Sequence, residues 1–188
     1  ICKIWLFAVP TIWYFRVDKN RFLWAEKEIE GLRIAALSGL IMSVVILLTW
    51  SLFGSTIDVE SMIEELESTG LNDLSLYVAS MIYWIFFNSL LEEYVFRWFI
   101  TTKGVELFGN ETGGIMLSAF LFTLHHGIAL YIFGFNWWQI LMACIGLLSA
   151  AAIWSWLYLR YKSIWACWLS HSICDVAVFG IGYVLIFG

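Results

Sequence analysis

Charge is scarce in this 188-residue sequence: only 13% of residues are Asp, Glu, Lys or Arg, about half the share of an ordinary soluble domain. Proline occurs once, at Pro10, and no segment alternates apolar and polar residues as barrel strands do. There is no internal repeat and no low-complexity linker. A net charge of −5 without a basic patch gives no case for a nucleic-acid partner. The four cysteines, Cys2, Cys144, Cys167 and Cys174, form no CxxC pair and sit in apolar stretches. They read as small buried hydrophobes rather than disulfides or metal ligands.

What is abundant is apolar surface: 62% of residues are hydrophobic and 19% aromatic. A disordered chain needs the opposite balance, and a water-soluble globule of this size has too little interior to hide so much. Lipid is therefore the solvent for most of the chain. Six apolar stretches, near 1–15, 34–53, 74–101, 114–133, 137–158 and 164–187, each approach the ~20 residues that cross a hydrocarbon core. Backbone groups in lipid must be satisfied within the segment, so the expected fold is all-α. It is a polytopic integral membrane protein of about six helices in one bundle. The first stretch is short and begins at Ile1 rather than Met, as a trimmed segment would. With one Lys and no small-residue cleavage site, it reads as a span as readily as a signal segment.

The connections alternate in charge. Link 16–33 holds Arg16, Lys19, Arg21, Lys27 and Arg33, whereas 54–73 holds six acids and no base. Lys103 marks the next link, the short 134–136 turn has no charge, and Arg160 and Lys162 mark the last. The positive-inside rule then places 16–33, 102–113 and 159–163 in the cytoplasm. In the acidic link, Val59, Met62, Ile63 and Leu66 fall at helical spacing and predict a short helix on the outer surface. Most aromatics read as packing or interfacial residues, Trp137 and Trp138 at the outer interface.

Four charges remain inside apolar segments: Glu92, Glu93, Arg97 and Asp175, with all three histidines, His125, His126 and His171. Each charge at the bilayer centre costs at least ~2.5–3.5 kcal/mol, so such groups need partners or a purpose. Counting from the expected cytoplasmic helix ends, Glu92 and Glu93 lie ~12–14 Å deep, His126 ~18 Å, His171 ~10 Å and Asp175 ~16 Å. Three helices thus bring polar groups to similar depth, and one shared cavity is the economical account. Glu93 with Arg97, Phe122 with His126, and His171 with Asp175 are i,i+4 pairs that share a helix face. Gly113, Gly114 and Gly127 are candidates for close helix approach.

Hydrolysis suits this set. A carboxylate can take a proton from water, a histidine can orient that water, and a donor on another helix can hold the oxyanion. Ser170 points ~100° away from His171, so no serine nucleophile has an adjacent base. Cys174 at i+3 from His171 leaves a Cys–His arrangement open. A zinc site of His126, His171 and the glutamates is chemically acceptable, although HExxH is absent. Intramembrane acids and histidines also build proton relays, but a transporter should show inverted repeats or broken helices.

The string EEYVFR at 92–97 resembles the EExxxR motif of the CAAX-protease and bacteriocin-processing family, also called Abi. FTLHH at 122–126 is similar to its FxxxH motif, and HSICD at 171–175 to its HxxxN/D motif, in the same order. The resemblance covers residues ~74–187 and implies a glutamic-type intramembrane endopeptidase. It divides the chain into an N-terminal hairpin with its acidic loop, 1–73, and a catalytic core, 74–188. By resemblance, Glu92 is the general base, aided by His126; Glu93 and Arg97 order the site; His171 and Asp175 stabilise the oxyanion. His125 is a neighbour outside the motif position. The prenyl-processing branch carries Asn where this chain has Asp175, which donates a hydrogen bond only when protonated. No cofactor is expected beyond the zinc alternative. The expected partners are the bilayer, a membrane protein or peptide substrate and, if the site is silent, a partner membrane subunit. The implied location is a prokaryotic cell membrane, with the site opening toward the cytoplasmic half.

Overall fold

Lipid offers no hydrogen bonds, so each apolar stretch must close its own backbone bonds as a helix, and the computed structural model shows this for the apolar stretches among its described residues. It describes residues 8–19, 29–67 and 70–188. The helices are α1 (8–17), α2 (Ile29–Phe53), α3 (Val59–Glu67), α4 (Leu74–Phe108), α5 (Glu111–Ile132), α6 (Trp137–Tyr161) and α7 (Ile164–Phe187). Among the described residues there is no strand, and five helices, α2 and α4 to α7, are long and apolar enough to span a membrane. The protein is an all-α polytopic membrane protein. The expected first span, 1–15, lies partly outside the described residues, as do Cys2, Lys3, Arg21 and Lys27.

Helix ends follow backbone chemistry more closely than apolarity. α4 runs seven residues past the expected end at Thr101, through a Lys103–Glu106 pair at 2.8 Å, and stops where Gly109 turns left-handed at φ +70°. Asn110 then caps α5 by accepting from the Gly113 N–H at 2.8 Å. At this end of the bundle Lys103 also reaches Asp18 beyond α1, at 2.7 Å. At the opposite end Gln139, in the first turn of α6 just after the 134–136 turn, donates to the Thr56 carbonyl of the acidic link at 3.1 Å. The two sets of links therefore sit at opposite ends of the bundle. The acidic link contains the expected helix, α3, with Leu66 buried.

Close packing in the bundle depends on small residues. Gly31, Ala35, Gly39 and Ser43 recur every fourth position along α2 and are all buried, a stripe that the sequence reading did not single out. A Cβ on Gly39 would lie 2.9 Å from the Ser170 carbonyl of α7. Two of the glycines singled out in the sequence sit where α4 turns back into α5. A Cβ on Gly114 would meet Val105 Cγ2 at 2.5 Å and the Thr101 carbonyl at 2.7 Å, and one on Gly113 would meet Phe108 Cβ at 2.5 Å. At Gly127 the nearest atom, Cys144 Sγ, is 3.1 Å away.

Gly114→Ala is therefore expected to destabilise the bundle by about 1–3 kcal/mol through overpacking. Gly146→Ala should be near neutral, because nothing lies within 4 Å of its Cβ position. Thermal melting of the purified proteins in detergent, compared side by side, checks both.

Candidate active site

Helix α4 carries the two glutamates and is not a uniform α-helix. π-helical turns at Tyr83–Asn88 and Tyr94–Thr101 flank the α-helical segment Ser89–Glu93. A π turn shifts the backbone pairing and frees carbonyls for other donors, and such bulges recur at functional sites. Here the donors come from neighbouring helices. Ser172 of α7 donates to the Ile85 carbonyl at 3.0 Å, with Ser89 also bonding that oxygen. Trp168 of α7 donates to the Phe86 carbonyl at 3.2 Å, and Ser118 of α5 to the Phe96 carbonyl at 2.7 Å. These bonds set the rotation of α4 and with it the directions of Glu92 and Glu93. A sequence count at 100° per residue assumes unbroken α geometry and contains no sign of them.

Glu93 is the hub of the site. Its Oε2 accepts from Arg97 Nε at 3.0 Å and its Oε1 pairs with His171 Nδ1 at 2.8 Å, with Glu93 and Arg97 both fully buried. The expected i,i+4 pair is thus present and extends to α7. Arg97 Nη1 donates to Ser118 Oγ at 3.2 Å. The guanidinium carbon lies 4.7 Å from the centre of the Phe122 ring and 5.3 Å from that of Trp154. Aromatic faces attract cations, and more strongly where water is absent. Together these contacts replace part of what a buried guanidinium loses with its hydration, while Nη2 is buried without a hydrogen-bond partner.

His171 continues the network. Its Nε2 is 3.5 Å from Asp175 Oδ1 and 3.9 Å from Glu92 Oε2. Glu92 in turn accepts from Asn88 Nδ2 at 2.7 Å. Asn88 escaped the sequence reading although it is an amide one turn before Glu92 in an apolar segment. His126 stacks on Phe122 at 4.2 Å and bonds the Phe122 carbonyl through Nδ1 at 3.0 Å, which leaves Nε2 for other partners. It lies within electrostatic reach of Glu92 and His171. His125 is exposed and touches His126 edge to face at 5.2 Å.

Glu92, Glu93, Arg97, His171 and Asp175 therefore form one contiguous cluster, with His126 beside it. Cys174 does not join it: its sulfur points to the Gly39 carbonyl, 3.8 Å away on α2. Among the described residues no three His, Cys, Asp or Glu side chains are grouped as a metal site. A groove of about 450 Å³ along α5 and α6 is lined by Phe120, Leu124, Ile128 and Tyr131 among others and contains none of the clustered carboxylates or histidines.

Fold and site together define a polytopic helical membrane protein with a buried carboxylate–histidine centre shared by α4, α5 and α7. The family model described as type II CAAX prenyl endopeptidase Rce1-like matches residues 74–177, more than half of the chain, and the chain belongs to that family of membrane proteases. No curated protein and no solved structure matches it.

Breaking one partner of a buried ion pair strands the other, at about 3–5 kcal/mol. Arg97→Met is expected to destabilise the protein by that amount, and the double substitution with Glu93→Gln to recover part of it. Lys103→Met, which removes the more exposed pair with Asp18, should cost less than about 1 kcal/mol. Detergent-phase thermal denaturation of the three variants checks the ranking.

Proposed function

We propose that the protein is an intramembrane endopeptidase that hydrolyses a peptide bond of a membrane-associated protein or peptide with a water activated by Glu92. The observation that carries this reading is the different exposure of two adjacent glutamates. Glu93 is sealed between Arg97 and His171, whereas the Glu92 side chain keeps 16% of its surface exposed beside His171 and Asp175. Glu92 thus has surface at which a water could be met, and Glu93 has none. A general base must meet its water directly, so the two carboxylates take different roles.

In the proposed reaction, Glu92 takes a proton from water as the oxygen attacks the scissile carbonyl. His126, within electrostatic reach, helps to hold that water. The oxyanion forms beside His171, which donates its Nδ1–H to Glu93 and, when the ring is doubly protonated between these carboxylates, donates a second N–H from Nε2 to the oxyanion; Asp175 adds a further donor when protonated. The proton held by Glu92 then passes to the leaving amine as the carbon–nitrogen bond breaks. Glu93 and Arg97 remain charged throughout and keep the His171 ring in place. In this reading the end of the bundle with the basic links faces the cytoplasm, by the positive-inside rule, and the substrate enters from that half of the bilayer.

The test uses purified protein in liposomes with a farnesylated peptide ending in a CAAX box and the same peptide without the lipid. Cleavage of at least one by the wild type is expected, with a loss of at least about 100-fold for Glu92→Gln. A zinc chelator should leave the rate within twofold. Wild-type protein inert toward both peptides, or Glu92→Gln cleaving at the wild-type rate, overturns the reading.

A further inference from the structure

We propose that Trp154 is a positioning residue for the reaction, fixing the plane of the His171 ring, and that a buried hydroxyl relay through Ser170 and Ser38 makes helix α2 part of the site's support. This rests on the reading above, in which His171 serves the oxyanion.

The inference begins with what one hydrogen bond leaves undone. His171 is tied to Glu93 through Nδ1 at 2.8 Å, and a ring held at one atom can still swing about that contact. Such a swing would carry Nε2 away from Glu92 and Asp175. Trp154 of α6 supplies the missing constraint. Its indole, 2% exposed, stacks on the imidazole at 4.3 Å with 21° between the planes. The same indole lies under the Arg97 guanidinium, with Phe122 set edge to face at 5.7 Å. One buried ring therefore borders both the imidazole and the guanidinium that flank Glu93.

The indole is itself held from α7, the helix that carries His171. Its N–H is a donor only, and when buried it needs an acceptor. Ser170 Oγ, fully buried, provides it at 3.0 Å. Ser170 meets Ser38 Oγ of α2 at 3.1 Å, and Ser38 donates to the Ala35 carbonyl at 2.9 Å. Each hydroxyl has one hydrogen, so the direction of the relay is determined. Ser38 spends its hydrogen on Ala35, hence Ser170 donates to Ser38 and receives from Trp154. The relay ends on a backbone carbonyl with no donor left over. It reaches α2, which precedes residues 74–177 of the family match, across the contact that Gly39 keeps close.

The test is steady-state kinetics in liposomes on whichever of the two peptides the wild type cleaves. Misplacing a catalytic group by about 1 Å can cost ~100-fold, so Trp154→Leu is expected to lower kcat by roughly 10–100-fold with KM within twofold. Trp154→Phe, which keeps a ring face but loses the N–H and the second ring of the indole, should recover most of that loss. Ser170→Ala and Ser38→Ala should each lower kcat a few-fold. Folded fraction is followed by size-exclusion chromatography and thermal melting. Leu and Phe variants of equal kcat, Ser170→Ala at wild-type kcat, or losses that track the folded fraction overturn the inference. Glu92→Gln is measured in parallel: if it stays active, the proposed reaction itself fails. If it is inactive while the Trp154 and Ser170 variants match wild type, only the positioning role fails.

Discussion

A guanidinium with no exposed surface, in a chain whose solvent is lipid, is the constraint around which the interior is arranged. Neither water nor lipid solvates Arg97, so the protein must. It does so at Nε and Nη1 with a carboxylate and a serine hydroxyl, and sets aromatic faces beside the group, though Nη2 has no hydrogen-bond partner. Satisfying Arg97 draws Glu93 into full burial. Glu93 then needs a second donor for its other oxygen, and His171 of α7 provides it. One buried charge thus pins three helices: α4 through its own pair, α5 through Ser118 and Phe122, and α7 through His171.

The rest of the interior follows membrane logic. Lipid tails are as apolar as leucine, so burying leucines between helices gains little, and association depends on close contact and hydrogen bonds. The small-residue stripe of α2 brings its backbone against α7, and Gly114 brings α5 against the end of α4. Between these contacts, hydroxyls and an indole N–H from α5 and α7 bond carbonyls of α4 at its π turns. Each such bond satisfies a polar group that has no alternative partner in hydrocarbon, so each also fixes a register.

Adjacent positions in one helix can acquire opposite roles this way. Glu92 and Glu93 are chemically identical and differ by one step of rotation. That step separates a fully buried carboxylate from one that keeps part of its surface exposed. The family to which residues 74–177 belong is a protease family, and it is on this difference in exposure that the proposed division of the two glutamates into base and scaffold rests. Asp175 and Glu92 share the same imidazole edge, which makes His171 the point through which buried and accessible parts of the cluster communicate.

Much of this was legible in the chain. Apolar runs near 20 residues specified helices because lipid permits little else, and the charge pattern of the links matched the two ends later joined by Lys103 with Asp18 and Gln139 with Thr56. The rarity of charge in lipid made Glu92, Glu93, Arg97 and Asp175 conspicuous, and i,i+4 spacing correctly paired Glu93 with Arg97. Contacts that join residues far apart in sequence left no such trace. The stacking of Trp154 on His171, the relay from Ser170 to Ser38 and the hydroxyl bonds to α4 depend on helix rotation and crossing. One tryptophan among twelve carries no local mark of where its ring will lie. Solvent preference is a property of each segment and can be read along the chain, whereas rotation about a helix axis is set by all the neighbours at once and exists only in the packed bundle.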